Sequence, residues 1–276
     1  MNIGYVGYLK GNKKAERTIK NYTQYVQEML DYVGKEETEI NAADLNNWLG
    51  NISNLSSATV ALKISAIKSY FEYLENMEII DKNPASKIKR PAKKNKEKEY
   101  MSEEMVDKMI DCASCIRDKA ILMMLKTNGL RINELINLTK DAYNRMNQYD
   151  MRYIKINAKG DKERRVFFTD ELKNMIDTYL TTRTDDCDRL FVSHWGGPIN
   201  GNNLSQTWKS LAKKAGIPFW NEISNHYFRM ACASIYSEKG MPVDEIRDLL
   251  GHSNIAVTNT YLKTNPNKIY NTIMSY

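Results

Sequence analysis

The sequence predicts a mainly α-helical protein of two domains, the second of which carries a small antiparallel sheet. Three observations predict it. Apolar residues recur at three- and four-residue intervals through most of the 276 positions, the period changes to two between 151 and 168, and one segment, 87–98, is basic with no apolar period beyond Ile88. The length suffices for two moderate cores. A hydrophobic content of 42% with 27% charged residues is that of a folded chain, not a disordered one.

The first domain, 1–86, is expected to be all helical. Ile19, Tyr22, Val26, Met29, Leu30 and Val33 mark a helix over 13–33. A shorter one starts near Asn41 and carries Leu45, Trp48 and Leu49. Ser56 or Ser57 caps a third, which bears Val60, Leu62, Ile64, Ile67, Tyr70, Phe71 and Leu74. A further helical turn is expected over 77–80. Asn83-Pro84-Ala85 then ends the run, because proline lacks an N–H and restricts the residue before it. An extended basic linker follows over 87–99.

The second domain, 100–276, opens at Ser102-Glu103-Glu104-Met105 with Ser102 as N-cap. An apolar helix over 116–127 is closed by Asn128-Gly129, and another runs over 132–138. Residues 151–156 and 165–168 read as strands, with Ala158-Lys159-Gly160-Asp161-Lys162 as the turn between them. Helices are expected near 170–180, 203–215, 225–237, 242–250 and 254–262, and an amphipathic tail over 266–276. No internal repeat or low-complexity tract is present.

The net charge of +6 is unevenly placed: −2 over 1–86, +6 over 87–98 and +2 over 99–276. A basic run attracts polyanions by neutralising phosphates, and its plainer reading is a solvated linker. Four cysteines, Cys112, Cys115, Cys187 and Cys232, make no disulfide framework for a chain this long. Cys112-x-x-Cys115 has the spacing of a zinc or redox pair but no second pair beside it, so structural thiols and no metal are expected. The N-terminus lacks a basic region followed by an apolar stretch, and no window approaches the ~20 apolar residues of a membrane span. The expectation is a cytoplasmic protein that needs no cofactor.

The C-terminal third concentrates groups suited to phosphate-ester chemistry. His226-x-x-Arg229, Leu249-Leu250-Gly251-His252 and Tyr261 bring two of the three histidines, an arginine and a tyrosine into 36 residues. A guanidinium grips non-bridging oxygens, imidazoles move protons and a phenol can serve as a covalent nucleophile. His226 and Arg229 lie one helical turn apart and can face one point. Arg131 stands at a helix start, where backbone amides also favour an anion, and Lys159 lies at a hairpin tip. Each has a plainer reading alone: a solvated arginine or lysine, a partly buried or helix-capping histidine, one of 17 tyrosines in a core.

In order and context these residues resemble the tyrosine recombinases, the phage-integrase and Xer-like family of site-specific DNA recombinases. Asn128-Gly129-Leu130-Arg131-Ile132-Asn133-Glu134-Leu135 resembles the family's first arginine box. Ala158-Lys159-Gly160-Asp161-Lys162-Glu163-Arg164 is similar to its β-hairpin lysine motif, and His226-Tyr227-Phe228-Arg229 to its second box. Leu249-Leu250-Gly251-His252-Ser253-Asn254-Ile255 followed by Tyr261 resembles the last histidine and the nucleophile. The likeness also covers Asn83-Pro84-Ala85 through the basic linker to Ser102-Glu103-Glu104, while the first domain matches in general character alone. Phe228 stands where leucine is usual, Met230 where histidine is common and Asn225 where proline is frequent; none is a position that the family assigns to chemistry.

The resemblance implies a helical core-binding domain joined to a tyrosine-recombinase catalytic domain. It implies that Arg131 and Arg229 clamp the scissile phosphate and that Tyr261 attacks it, giving a 3′-phosphotyrosyl enzyme and a free 5′-hydroxyl. His226 would assist proton transfer, Lys159 would protonate the leaving oxygen, His252 would hydrogen-bond the phosphate, and Glu134 would orient the arginine pair. The phosphodiester energy stays in the covalent bond, so neither a Walker motif nor a two-metal carboxylate cluster is required. The implied partners are double-stranded DNA with paired half-sites and a homotetramer. The 266–276 tail, with Ile269, Ile273 and Met274 on one face, would dock into a neighbouring protomer, its plainer reading being packing within its own chain. The two domains are expected to close on the duplex as a C-shaped clamp, with Lys89, Arg90, Lys93, Lys94 and Lys96 at its backbone. A type IB-like topoisomerase and a non-catalytic DNA-binding protein on the same scaffold are the alternatives, and the retained Tyr261 argues against the second. No arm-binding domain is expected ahead of the first helix, which favours a simple Xer-like or transposon-resolving enzyme.

Overall fold

The computed structural model describes residues 4–92, 99–158 and 162–251. It forms two compact units, Met1–Glu97 and Lys98–Tyr276, each built on its own core.

Four helices make the first unit: α1 (Gly4–Gly11), α2 (Glu16–Val33), α3 (Ala42–Asn51) and α4 (Ser57–Asn76). The α2–α4 pair packs most extensively, and Val26, Met29, Leu45, Trp48, Phe71 and Leu74 are buried among the helices. Helix ends follow local chemistry. Gly34 at φ 64° closes α2. Asn41 Oδ1 accepts the Ala43 and Asp44 N–H groups at 2.8 and 3.2 Å, and Asp44 accepts the Asn41 N–H at 3.1 Å, a complete capping box. Ser56, not Ser57, caps α4, accepting the Thr59 N–H at 3.1 Å.

Two elements here depart from expectation. Helix α1 is missed by periodicity because Gly4, Gly7 and Gly11 read as loop, and glycine disfavours a helix by up to about 1 kcal/mol each. Tertiary packing overrides that preference: Tyr5 and Leu9, four residues apart, are fully buried, with the Tyr5 ring edge-on to Tyr70 at 4.9 Å. Residues 77–80 form a turn and not a helix, because Glu78 takes φ 57° and the Ile79 N–H reaches back to the Leu74 carbonyl at 2.9 Å. Beyond Asn83, whose side chain accepts the Ala85 N–H at 2.8 Å, Ile88 still packs on this core.

The second unit runs α5 (Glu103–Cys112), α6 (Ile116–Asn128), α7 (Ile132–Ile136), α8 (Lys140–Gln148), β1 (Tyr153–Ala158), β2 (Lys162–Phe167), α9 (Asp170–Thr181), α10 (Gly201–Lys214), a 3-10 turn (Trp220–Glu222), α11 (Asn225–Glu238) and α12 (Val243–Leu250). The fold is therefore mainly helical with one two-stranded antiparallel sheet among the described residues. Helix α6 is the centre: nearly all its side chains are buried, and it packs against α5, α9 and α11. Lys126 on α6 bridges Glu103 (2.9 Å) and Asp107 (2.6 Å) of α5, and Lys239, just past α11, binds the same Glu103 at 2.7 Å.

Helix α8 has no counterpart in the sequence reading. Its stretch is polar, and only Tyr143 and Met146, one turn apart, are buried. The sheet also begins and ends differently: Tyr153 pairs with Phe167 and Ala158 with Lys162, so the strands extend into the charged run that reads as turn. Ile154, Val166 and Arg164 are buried, and Arg164 pairs with Ile156. A charged residue occupies a core-facing strand position.

Candidate active site

The site is assembled from the ends of α6 and α12, the start of α7, one face of α11 and the core side of β2. Gly129 closes α6 at φ 53°. The next turn presents Arg131, which is the N-cap of α7. Glu134, one turn on, is buried and grips Arg131 twice, accepting its main-chain N–H at 2.8 Å and its guanidinium at 2.8 Å. The Arg131 side chain remains 34% exposed. An open groove of about 810 Å³ lies beside it, lined also by Asn133, Lys155 and Asn157.

Arg229 is only 3% exposed. It donates to the Gly129 carbonyl at 2.7 Å and to the Leu250 carbonyl. Those acceptors sit at the C-terminal ends of α6 and α12, where carbonyls lack helical partners and the helix dipole is negative. His226, one turn before Arg229 on α11, is exposed.

Arg164 completes the arrangement, and no motif in the sequence gives it a role. Its guanidinium donates to Glu134 Oε2 at 2.7 Å, to the Asn128 carbonyl at 3.2 Å and to the Leu249 carbonyl. Arg131 meanwhile reaches the Gly251 carbonyl at 3.5 Å. Three consecutive carbonyls, Leu249, Leu250 and Gly251, thus accept from Arg164, Arg229 and Arg131 in turn. The next residue is His252. The signal that points to Arg164 is its place two residues before the buried Val166 on a strand, where alternation calls for an apolar side chain.

The electrostatics follow. Burial raises the Glu134 carboxyl, but the Arg164 charge and the Arg131 hydrogen bonds outweigh it and hold the group below its usual range. Burial lowers Arg164, opposed by the same carboxylate. Glu134 joins Arg131 to Arg164, and Arg229 donates to main-chain carbonyls. Cys232 lies behind Gly129, and burial pushes its thiol up to about 12, so it stays protonated.

Lys159, His252, Tyr261 and the 266–276 tail lie outside the described residues, as do Lys93, Lys94 and Lys96. Lys89 and Arg90 are described and exposed. The third histidine, His194, sits 3.1 Å from Arg117 at the start of α6, about 18 Å along that helix from Gly129 by helical rise. Cys112 and Cys115 carry free thiols, and no group of three or more metal-ligating side chains occurs among the described residues. Nor is any described helix long and apolar enough to cross a membrane. Of the three departures from the family pattern, Asn225 opens α11 and accepts from Trp208 Nε1 at 2.8 Å. Phe228 packs edge-on against Trp208 at 5.8 Å, and Met230 is buried in the core.

Comparison with known proteins reaches the same chemistry from another direction. Residues 99–268 match the phage integrase family, and residues 6–81 match the N-terminal SAM-like domain of phage integrases. Tyrosine recombinase XerA of Pyrococcus horikoshii is 30% identical, over 94% of this chain and 87% of that protein. Tyrosine recombinase XerD of Oceanobacillus iheyensis is 27% identical, over 95% and 92%. A crystal structure of XerA recombinase superposes with a TM-score of 0.56 at 26% identity, covering 98% of this chain and 95% of that one. A lambda integrase (75–356) dimer bound to a COC′ core site shares the fold, with a TM-score of 0.76 at 16% identity over 93% and 92%. With two arginines meeting beside the residue before His252, and with both units matched, the chain belongs to the phage integrase family: it is a tyrosine recombinase, an enzyme that exchanges DNA strands through a tyrosine nucleophile.

Proposed function

We propose that this recombinase acts at specific paired half-sites in double-stranded DNA, with Tyr261 as its nucleophile. Arg131 and Arg229 take the two non-bridging oxygens of the scissile phosphate and offset the charge that builds on them in the transition state. The Tyr261 hydroxyl attacks phosphorus and loses its proton with help from His226. The P–O5′ bond breaks, and Lys159 supplies the proton that makes the leaving oxygen a 5′-hydroxyl. His252 hydrogen-bonds the phosphate, and Glu134 orients Arg131. Attack on the phosphotyrosine by a 5′-hydroxyl from the other duplex reverses the steps and joins the exchanged strands.

The observation that carries this reading is the approach of Arg131 and Arg229 to adjacent carbonyls at the end of α12, one residue before His252. The tyrosines of α11 compete poorly for the nucleophile's role. Tyr227 donates to Glu222 at 2.8 Å and Tyr236 to the Thr127 carbonyl at 3.1 Å, and desolvation by burial raises each phenol to about 12.

We assign DNA contact both to the helical domain 1–86 and to the catalytic domain 100–276. Lys89, Arg90, Lys93, Lys94 and Lys96 in the 87–99 linker take phosphates. Four protomers form the synaptic complex, each 266–276 tail docking on a neighbour, in the cytoplasm where chromosomal DNA is accessible. The test is a duplex carrying the chain's binding site with a nick beside the cleavage position, which traps a covalent adduct. Wild type should form it and Tyr261→Phe should not; an adduct that survives Tyr261→Phe sinks the assignment. Sequence-specific joining of two duplexes, rather than relaxation of supercoils alone, separates this reading from a type IB-like topoisomerase. Deleting 266–276 should abolish the tetramer on DNA while leaving duplex binding.

A further inference from the structure

Arg164 takes no part in the phosphate chemistry assigned above, yet its side chain is 2% exposed. A buried guanidinium is costly to desolvate, and an apolar side chain at this core-facing strand position would avoid that cost. Its Nε finds no acceptor among the described groups. Stability alone is a poor reason for such a residue.

Its partners supply a better one, for each belongs to a different part of the site. Glu134 holds Arg131. Asn128 precedes Gly129, whose carbonyl holds Arg229. Leu249 begins the run of carbonyls that leads into His252. Arg164 itself stands on β2, five residues after Lys159 in sequence. The fit to α12 is tight: a Cβ at Gly251 would lie 2.8 Å from Arg164 Cδ. Charge matters as well as place. Glu134 paired with Arg131 alone would form a neutral couple, whereas two guanidiniums sharing one carboxylate keep a net positive charge for an incoming phosphate.

We propose that Arg164 is a positioning residue for strand cleavage, fixing Glu134 and through it Arg131 in register with the end of α12, while preserving positive charge at the phosphate site. The proposal rests on the reading of Arg131 and Arg229 as the phosphate clamp.

The experiment uses the full chain and duplexes recovered from a random-sequence pool by binding to it, nicked at successive positions to trap the adduct. An absent wild-type adduct overturns the parent reading and this proposal together. A wild-type adduct that is lost in Tyr261→Phe leaves the Arg164 variants to decide the proposal alone. Arg164→Lys keeps the charge but cannot reach three acceptors with one ammonium. Its adduct should form about 100-fold more slowly, with the duplex dissociation constant changed by less than about threefold. Arg164→Met, which removes the charge as well, should lose at least as much rate. Combining Arg164→Lys with Glu134→Gln should be no slower than the slower single variant, because both act on Arg131 through one carboxylate. Multiplied losses in the double variant overturn the proposal. So does near-wild-type cleavage by Arg164→Lys, or a rate loss matched by an equal loss of duplex binding.

Discussion

At Gly129 two constraints coincide: φ is 53°, and a Cβ would lie 2.5 Å from Leu250 Cδ2. Gly129→Ala is expected to cost about 1–3 kcal/mol through strain and overpacking, read as a lower urea midpoint. It should also slow cleavage, since the Gly129 carbonyl holds Arg229. A second expectation concerns acid. Glu134 is held below its usual range by its two arginines, although burial opposes them. A depressed carboxyl contributes its full stabilisation above the unfolded value of about 4.3 and loses it as pH falls through the lower folded value. Urea midpoints should therefore fall as pH drops below about 4.3, and Glu134→Gln should make that fall shallower; an unchanged pH dependence would refute the role of this carboxyl. Arg131, His226 and Arg229 are legible in the sequence because they stand in motifs. Arg164 also ends a motif but is given no role there, since a charged residue near a turn reads as solvated until its strand partner, Ile156, is known.

The elements show the same division. Caps at Asn41, Ser56 and Ser102 and the glycine stops at Gly34 and Gly129 are local chemistry, and the helices they bound are readable from it. Helices α1 and α8 are not readable, because each is anchored by only two buried side chains whose partners lie far along the chain. Leu9→Ala tests the first directly. A packed α1 predicts a loss of about 2–5 kcal/mol in the urea unfolding of the first unit within the full chain, followed by hydrogen exchange of its helices. A loss near zero would mean that α1 contributes no packing. The turn-proximal ends of the hairpin arms escape a sequence reading because β2 opens on four charged residues in succession, Lys162 to Arg165. Such a run shows none of the alternation that marks a half-buried strand.

For the molecule as a whole, charge placement is the property with functional reach. The basic excess over 87–98 falls in sequence at the end of the first unit, Met1–Glu97, and the start of the second, and each unit has its own core. Replacing Lys89, Arg90, Lys93, Lys94 and Lys96 by alanine should lower the slope of log binding constant against log salt by about 0.9 for every phosphate no longer neutralised. Titrating a labelled duplex at several salt concentrations measures it, and an unchanged slope would remove the linker from the DNA interface.

By itself the sequence determined the helical class, the small sheet, the order of the motifs and the place of the basic segment. The class, the sheet and the basic segment are set by periodicity, capping and composition within a few residues, and the motifs are recognised by their resemblance to the family. Only the tertiary structure decided that Arg164, Arg229 and Arg131 meet three successive carbonyls at the end of α12, and that Glu134 serves Arg164 along with Arg131. Those hydrogen bonds join residues 21 to 120 positions apart, and no local pattern specifies which distant carbonyl a guanidinium will find.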